Sequence, residues 1–590
     1  MDLSIFSRHN MVKPILGVII VCFTACEGSN DKHTDLNHYT LQLDQSISAQ
    51  LDELVPLDVD ATQLSNLWQV DLSDTQSGVD VAMPDFPGEE QVTLPHRINL
   101  PDHSIWYKAV VSLDKGVLQV NADDGAQVWV NGQRIRPALA NFYPVDQSGQ
   151  HELTIRVINN AMAGGLRSVS FIPQSAWQDH INHRELRAAV RLLLEKSFLL
   201  ELSNEERKSI AEAIHSLNRQ MIEQTLESLA DRPVLLAEPI LQKSTDDQYY
   251  LRWVSSSNSP ATLYWGENAD DLHQQREVEG KEGVFLVPVQ QAGLSCRIEQ
   301  LNTVSPIYDF SESVANSRNR FMVWADSQSG WPVFDSIMQM SNEYGFRFSV
   351  GAGDLVNQGD DDLEYLRFLR SLHQSSITHY PVPGNHDYDG YYEDLRADNY
   401  QRYLGLPAQE NYFAWREGEL AFVALDFNES FPVGLPTDAS QFEWFREQLN
   451  SEAWKTARWR FLVMHHPPYS QGWPGYHGEL SIRELLEPLY ESAGIDMIIA
   501  GHTHDYERLI KDYGQQQTAF VIVGGAGGGL EPEENSPYPE MDVVMSQHHF
   551  GIIETSGDTL RFSAVGLEGE VLDEFRMVKP KDRLNRLNQE

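Results

Sequence analysis

A chain of 590 residues is too long for a single hydrophobic core, and its length favours about three or four domains. Its 41% hydrophobic and 22% charged residues describe a folded globular protein rather than a disordered one. The formal net charge of -42 repels nucleic-acid phosphates, so no nucleic-acid partner is expected. Three cysteines, two of them in the first thirty residues, exclude a disulfide framework and a zinc site made of cysteines.

The first 26 residues have the layout of an export signal. Arg8 and Lys13 precede an apolar run from Ile15 to Phe23, which is too short to span a bilayer comfortably. The end of the segment resembles a bacterial lipobox, in which Cys26 would be lipidated; a plain cleaved signal peptide is the alternative. We therefore expect an exported bacterial protein, periplasmic or a surface lipoprotein, with the membrane as a partner only through a lipid on Cys26.

Residues 27–174 are predicted to form a β-sandwich. The polar segment from 27 to about 60 is expected to be a tether and a first strand. Leu153, Ile155 and Val157 alternate with polar residues as in a half-buried strand, and Asn131-Gly132 predicts a hairpin turn. The pattern resembles the galactose-binding-like jelly roll. That resemblance leaves two roles open for this domain, namely glycan binding or packing against its neighbour.

Two further regions separate this sandwich from the rest of the chain. Residues 175–231 read as a helical connector, with a capping box formed by Ser203 and Glu206. Residues 232–316 return to strands, and the placing of Trp253 and Tyr308 resembles an immunoglobulin or fibronectin type III-like β-sandwich. The chain ends in a polar tail, residues 579–590.

Between residues 321 and 507, five short stretches place metal-binding residue types directly after apolar, strand-like runs. Helix-like segments separate the stretches, and an open α/β sheet gathers ligands at the carboxyl ends of its strands. Carboxylate, imidazole and amide groups together suit two metal ions that act on a phosphoryl group. The five stretches are Asp326–Gln328, Gly353–Asp354, Gly384–Asp387, His465–Pro468 and Gly501–His504.

As an ordered set, these motifs resemble the calcineurin-like metallophosphoesterases, and among them the purple acid phosphatases. The resemblance covers about residues 234–577. It implies an α/β/β/α catalytic domain at 317–578 within a multidomain α+β protein, and two metal ions drawn from Fe, Mn and Zn. By position, the ligands of one metal are Asp326, Asp354 and His504, and those of the other are Asp354, Asn385, His465 and His502.

Six further residues receive roles by the same comparison. His386 is expected to contact the substrate phosphate or the leaving oxygen, and His477 to bind phosphate or donate a proton. His466 and His549 are expected to support or pack around the ligands, and the alternative of a direct contact with a metal stays open for His466 and for Asn357. The chain departs from the family at Asn357, where purple acid phosphatases carry the tyrosine that gives their colour. It also departs at Gln328, where the wider superfamily has a histidine, so Gln328 is either a weak ligand or a support for one.

The expected function is hydrolysis of phosphate esters by a metal-bound hydroxide, with phosphomonoesters as the leading substrate class. Two alternatives stay open at this stage. One is phosphodiester hydrolysis on the same centre. The other is a glycan-binding surface lipoprotein without catalytic activity. The glycine-rich run 521–529 lacks the lysine of a nucleotide phosphate loop, and we interpret it as close backbone packing.

Overall fold

A computed structural model describes residues 41–73, 78, 81–84, 90–100, 103–122, 125–159, 163–310, 319–388, 396–428, 430, 433–531 and 540–579. The expected signal segment with Cys26 lies outside these residues, as does nearly all of the polar tail. Within the part of the chain that is described, no helix is long and apolar enough to cross a membrane.

The first folded region is a β-sandwich of two main sheets. One sheet has the strand order β1-β12-β6-β9, the other has the order β3-β2-β5-β10-β7-β8, and β11 pairs with β4. Apolar side chains from both main sheets meet in one core, including Val120 and Val169 from the first and Trp68 and Ile155 from the second. The strands are β1 (Thr62–Gln63), β2 (Trp68–Asp71), β3 (Gln91–Val92), β4 (Ile98–Asn99), β5 (His103–Leu113), β6 (Gly116–Ala122), β7 (Ala126–Val130), β8 (Gln133–Ile135), β9 (Phe142–Val145), β10 (Gly149–Asn159), β11 (Ala163–Gly164) and β12 (Leu166–Pro173).

Four helices form the connector and its packing partner. The capping box predicted at Ser203 is present, because Ser203 Oγ accepts from the Glu206 N–H and Glu206 Oε2 accepts from the Ser203 N–H. The sequence predicts a tether and a first strand before residue 60. This prediction is wrong for residues 41–54, which form helix α1. Ile47 and Leu51 recur at helical spacing and pack against the connector, and this tertiary contact stabilises the helix. The helices are α1 (Leu41–Leu54), α2 (Gln174–Leu199), α3 (Asn204–Ser216) and α4 (Arg219–Ser228).

The next region is a second β-sandwich, and it shares a sheet with the domain that follows. Trp253 and Tyr308 both lie in its core. Leu241 and Gln242 of β13 pair in parallel with Thr378 and His379 of a later strand, so one sandwich sheet continues into the last region of the chain. Its strands are β13 (Leu235–Lys243), β14 (Tyr249–Ser255), β15 (Ala261–Gly266), β16 (Gln274–Val278), β17 (Val284–Val289), β18 (Ser295–Gln300), β19 (Thr303–Val304) and β20 (Tyr308–Asp309). Assignment of the two sandwiches to the jelly-roll and fibronectin types stays a prediction.

The last region contains two large sheets. The first has the order β23-β22-β21-β31-β32-β33, extended beyond β23 by β13, β14 and β17, and the second has the order β24-β25-β26-β27-β29-β28-β30. The strands are β21 (Arg320–Trp324), β22 (Phe348–Ala352), β23 (Thr378–Val382), β24 (Phe413–Glu417), β25 (Leu420–Ala424), β26 (Trp459–Val463), β27 (Met497–Ala500), β28 (Tyr506–Tyr513), β29 (Gln516–Val523), β30 (Val543–Met545), β31 (His549–Ser556), β32 (Thr559–Gly566) and β33 (Val571–Val578). The helices are α5 (Trp331–Tyr344), α6 (Asp362–His373), α7 (Asp398–Leu404), α8 (Ser440–Asn450), α9 (Glu452–Lys455) and α10 (Leu480–Ser492).

These elements form four layers, with helices outside two sheets that pack face to face. Phe321 and Val323 of β21 point to the core between the sheets, whereas Met322 and Trp324 point to the helices α5 and α6. Ring contacts such as Phe321 with Phe422, at 5.4 Å between centroids, join the two sheets. Strands covered on both faces are apolar throughout. The multidomain α+β organisation is thus confirmed, and the carboxyl ends of β21, β22, β23, β26 and β27 come together at one edge.

Candidate metal centre

Two groups of carboxylate and imidazole side chains meet at this edge. One contains Asp354, His465 and His502, and the other contains Asp326, Asp354 and His504. Within each group the candidate ligand atoms lie within 4.8 Å of one another. Asp354 belongs to both groups, which is the arrangement expected of a carboxylate that bridges two metal ions.

Asn385, the sixth candidate ligand, lies beside this cluster in the short 3-10 turn 385–387. The N–H of the next residue, His386, donates to Asp354 Oδ1 at 2.9 Å, so the turn is fixed against the bridging carboxylate. The Asn385 Oδ1 atom is buried and has no hydrogen-bond partner in the described structure. An amide oxygen of this kind is available to a metal ion.

Three of the candidate ligands adopt a backbone conformation that non-glycine residues rarely take. The φ angles are 60° at Asp326, 50° at Asp354 and 76° at His502. Such a residue costs about 1–3 kcal/mol, and it persists only where its surroundings impose it. Here each residue turns the chain sharply after a strand, and the His502 N–H donates to both oxygens of Asp326 at 3.1 and 3.0 Å. The strained backbone positions are therefore the ones that direct candidate ligand side chains into the cluster.

Two of the candidate histidine ligands are oriented through their second ring nitrogen. His465 Nδ1 donates to the Ala352 carbonyl at 3.0 Å, and His504 Nδ1 donates to the Gly529 carbonyl at 2.8 Å. Both contacts leave Nε2 facing the carboxylates, 3.1 Å from Asp354 Oδ2 for His465 and 3.7 Å from Asp326 Oδ1 for His504. This arrangement is typical of histidines that bind a metal, because the backbone contact fixes the tautomer.

The charge balance of the cluster also suits cations. Burial raises the pKa of Asp326 well above its ordinary value, against the opposing effect of His465. Burial also disfavours ionisation of Asp354, yet the attraction of His465 and His386 outweighs it and holds the pKa of Asp354 below its ordinary value. Buried His502 Nε2 has no hydrogen-bond partner in the described structure, a costly state that a metal would relieve. The residues present therefore fit a pair of metal ions.

His386 lies at the exposed side of the cluster. Its Nδ1 donates to the Asn357 carbonyl at 2.9 Å, and its Nε2 lies 4.0 Å from Asp354 Oδ2, with the side chain 23% exposed. A substrate bound at the cluster would meet this Nε2 atom. Asn357 takes part through its backbone, at the position where purple acid phosphatases carry a tyrosine.

Gln328 faces the cluster rather than the protein interior. Its Nε2 atom lies 3.3 Å from His504 Nε2, and its Oε1 atom is buried with no hydrogen-bond partner in the described structure. Exchange of the two amide atoms would turn the oxygen towards His504 and the metal-binding edge. The position is therefore compatible with both predicted roles, a weak ligand and a support for His504.

The remaining candidate histidines lie outside the two ligand groups of the described residues. His466 is buried, its ring centroid is 4.4 Å from that of His502, and burial lowers its pKa well below the ordinary value. His549 packs on Tyr506 with its Nδ1 bonded to the Gln547 carbonyl, and burial lowers its pKa to about 4. Both are placed as neutral packing residues.

His477 lies in a loop that covers His502. Trp473 and Tyr476 of this loop have ring centroids 4.9 and 6.0 Å from that of His502. The His477 carbonyl accepts from the Arg483 guanidinium, which fixes the loop backbone. The structure thus brings the loop of His477 close to His502, and the role of His477 itself stays a prediction.

Three carboxylates that support the site received no role from the sequence. Asp387 Oδ2 accepts from the Gly384 and Leu355 N–H groups at 2.8 and 3.1 Å and so closes the turn that carries Asn385. Glu507 and Glu364 likewise hold other loops of the site, because their carboxylates accept hydrogen bonds from backbone N–H groups. Asp387 and Glu507 lie inside motifs that are visible in the sequence, whereas Glu364 lies in an ordinary helical segment and gives no such signal.

Glu507 joins the loop of residues 470–472 to the turn that carries the ligand histidines. Its carboxylate accepts from Ser470 Oγ and the Gln471 N–H, both at 2.6 Å, and from Thr503 Oγ1 at 3.0 Å. Burial raises the pKa of Glu507 to about 7, against these hydrogen bonds. One buried carboxylate therefore holds two loops of the site together.

Residues 320–506 match the family model described as calcineurin-like phosphoesterase. Purple acid phosphatase 15 of Arabidopsis thaliana is 25% identical over 171 residues, which are 27% of this chain and 31% of that protein. Acid phosphatase type 7 of Mus musculus is 23% identical over 295 residues, or 43% of this chain and 63% of that protein. The chain spans about a third of the length of the first curated relatives that it matches.

A solved structure extends the likeness beyond the calcineurin-like phosphoesterase segment. The purple acid phosphatase from yellow lupin (Lupinus luteus) seeds matches 82% of this chain and 94% of its own, with a TM-score of 0.52 at 13% identity. This match shows a common fold. The calcineurin-like segment and the likeness to purple acid phosphatases, both predicted from the motifs, are confirmed.

Proposed function

We propose that this protein is a phosphatase that hydrolyses phosphomonoesters at a centre of two metal ions, outside the cytoplasm. The observation that carries the proposal is that Asp354 is shared by two groups of three side chains that could each hold a metal ion. One ion would be held by Asp326, Asp354 and His504. The other would be held by Asp354, His465 and His502, with Asn385 completing the second set.

When bound, two such ions supply positive charge beside an anionic ester and lower the pKa of water to near neutrality. The contribution of the chain is to hold the ligands in place before substrate arrives. Backbone carbonyls fix the ring nitrogens of His465 and His504, and the strained turns at Asp326, Asp354 and His502 aim the side chains. Little rearrangement is then needed when a substrate binds.

His386 is the residue proposed to act on the substrate directly. Because Nδ1 donates to the Asn357 carbonyl, the Nε2 atom is the one that faces the cluster and solvent. In its protonated form, Nε2 would donate to a phosphoryl oxygen or give its proton to the departing alkoxide. His477, in the loop over His502, is a second candidate for the same task.

The substrate class and the location are supported in different ways. The two curated relatives described above are named acid phosphatases, which favours monoesters over diesters here. The location outside the cytoplasm rests only on the pattern of residues 1–26. Lipid attachment at Cys26 and glycan binding by the first sandwich stay predictions from the sequence.

A paired ester assay tests the function. Full-length protein is loaded with Mn, Fe or Zn and assayed on p-nitrophenyl phosphate and on bis(p-nitrophenyl) phosphate. We expect a higher kcat/KM for the monoester, and a loss of about 100-fold or more in His386→Ala, the range expected for a proton donor. A higher kcat/KM for the diester would contradict the substrate class, and no turnover with any metal would contradict the function.

A further inference from the structure

The loop 357–360 carries the carbonyl that orients His386, and the side chain of Glu364 holds this loop. Glu364 lies in the first turn of α6, close to the loop in sequence. Its Oε2 atom accepts from the Asn357 N–H at 2.5 Å and from the Gln358 N–H at 3.3 Å. One carboxylate oxygen therefore accepts hydrogen bonds from two consecutive backbone N–H groups. The other side of the same peptide segment faces the metal-binding edge, where the Asn357 carbonyl accepts from His386 Nδ1 at 2.9 Å.

Two further contacts restrain the loop without touching Asn357. The Gly359 carbonyl accepts from Asn399 Nδ2 at 3.1 Å, and Asp360 Oδ2 accepts from the Ala140 N–H of the first sandwich at 3.1 Å. These contacts hold the distal half of the loop, at Gly359 and Asp360. Asn357 itself, whose carbonyl meets His386, is held from behind by Glu364.

From this geometry we propose that Glu364 is a positioning residue for His386. By accepting from the Asn357 and Gln358 N–H groups, it fixes the direction of the Asn357 carbonyl. That carbonyl holds the proton on His386 Nδ1 and leaves Nε2 pointing at the cluster. The inference rests on the proposed function, because it is there that His386 acts on the substrate. Glu364 itself touches neither the substrate nor the ligand groups.

Helix α6, which carries Glu364, is firmly anchored in its middle and its second half. Arg367 and Arg370 of α6 form buried ion pairs with Asp44 of α1, at 3.0 and 2.6 Å. A helix fixed in this way is a rigid support, which lets a single side chain at its start set the position of a loop. Hydrogen-bond partners that orient a functional side chain are typically worth about 10–100-fold in activity.

The test compares Glu364→Ala, Glu364→Gln and Asp361→Ala in the full-length, metal-loaded protein. Asp361 caps the same helix by accepting from the Leu363 N–H at 2.8 Å, and its side chain is not bonded to the loop in the described contacts. Asp361→Ala therefore controls for loss of helix stability. Glu364→Ala should lower kcat by about 10–100-fold with little change in KM. Glu364→Gln keeps an oxygen that accepts both N–H groups and should restore most of kcat.

A double-mutant cycle separates positioning from general damage. In the His386→Ala background, Glu364→Ala should cause no further loss, because the residue that it positions is gone. Equal losses in both backgrounds, or a wild-type kcat in Glu364→Ala, would overturn the inference while the proposed function stands.

A measurement that does not need turnover keeps the two proposals distinguishable. Protein with ¹⁵N-labelled histidine is compared with the His386→Ala variant to assign the His386 ring signals. The wild type should show the proton on Nδ1, and Glu364→Ala should shift these signals towards a mixture of tautomers. Unchanged His386 signals in Glu364→Ala would overturn the inference, even if the wild type hydrolyses no ester.

Discussion

Single glycines decide how closely the backbone approaches the metal ligands. A Cβ atom on Gly353 would lie 2.5 Å from His465 Nδ1, and one on Gly528 would lie 2.7 Å from the His504 ring. The same atom on Gly384 or Gly501 would overlap the carboxylates of Asp354 and Asp326. The interpretation of run 521–529 as close backbone packing therefore agrees with the structure, in which this run passes behind Asp326 and His504.

Gly528→Ala should displace His504 and weaken the metal site made with Asp326 and Asp354. The reason is steric, because the added methyl group meets the Cε1 and Nδ1 atoms of the imidazole at 2.7 Å. We expect the variant to lose one metal ion per chain in elemental analysis after dialysis, while its far-UV circular dichroism stays that of the wild type.

Gly529→Ala is the matched control for this prediction. A Cβ atom on Gly529 meets nothing within 4 Å, although its carbonyl also contacts His504. The control should keep its metal content. Equal metal content in both variants would show that His504 does not depend on the room left by Gly528.

At the scale of elements, one buried ion network joins α1, α2, α5 and α6. Asp44 of α1 contacts three guanidinium groups, those of Arg191, Arg367 and Arg370, at 2.7, 3.0 and 2.6 Å. Among the contacts of the described residues, Glu195 and Asp335 extend the network to three positive and three negative groups. Breaking a buried pair leaves an uncompensated charge, so such a network is sensitive to the loss of a single member.

Asp44→Asn should destabilise the protein by about 3–5 kcal/mol, because it leaves the positive groups of the network in excess. Asp52→Asn is the control. Asp52 lies on α1, as Asp44 does, and pairs with Arg187 of α2. The Asp52 side chain is 73% exposed, so the loss of this pair should cost less than about 1 kcal/mol. The measurement is the midpoint of urea unfolding of each variant, and similar midpoints for the two would contradict the importance of the buried network.

At the scale of the whole molecule, the two sandwiches and the helix α1 make direct contacts with the last region of the chain. Strand β13 of the second sandwich extends the first catalytic sheet, α1 packs on α6 through the ion network, and Ala140 of the first sandwich donates to Asp360. Local patterns predicted each region separately. They could not predict these joints, because pairing between distant strands and burial of distant charges depend on tertiary packing.

The candidate metal ligands could be predicted from the sequence, whereas a residue such as Glu364, which holds a loop of the site in place, could not. Asp326, Asp354, His465 and His502 follow apolar strands in the printed order, and strand ends meet at one edge, so their gathering there could be anticipated from the chain. Their division into two ligand sets came from the resemblance to the metallophosphoesterases. Glu364 could not be anticipated, since a glutamate in the first turn of a helix is ordinary and its partners are backbone N–H groups. The tether and first strand expected before residue 60 miss helix α1, because its apolar stripe is stabilised only by packing against the connector.

Asp354 is proposed to hold two metal ions, and the metal content of the protein tests this proposal most directly. Full-length wild type and Asp354→Asn are loaded with Mn, Fe or Zn, dialysed, and measured by inductively coupled plasma mass spectrometry. Asp426→Asn, a buried carboxylate that bonds Tyr388 rather than the cluster, is the matched control. We expect about two ions per chain in the wild type and the control, and near-complete loss in Asp354→Asn. A wild type that retains no metal, or an Asp354→Asn variant that keeps both ions, would contradict the dinuclear centre.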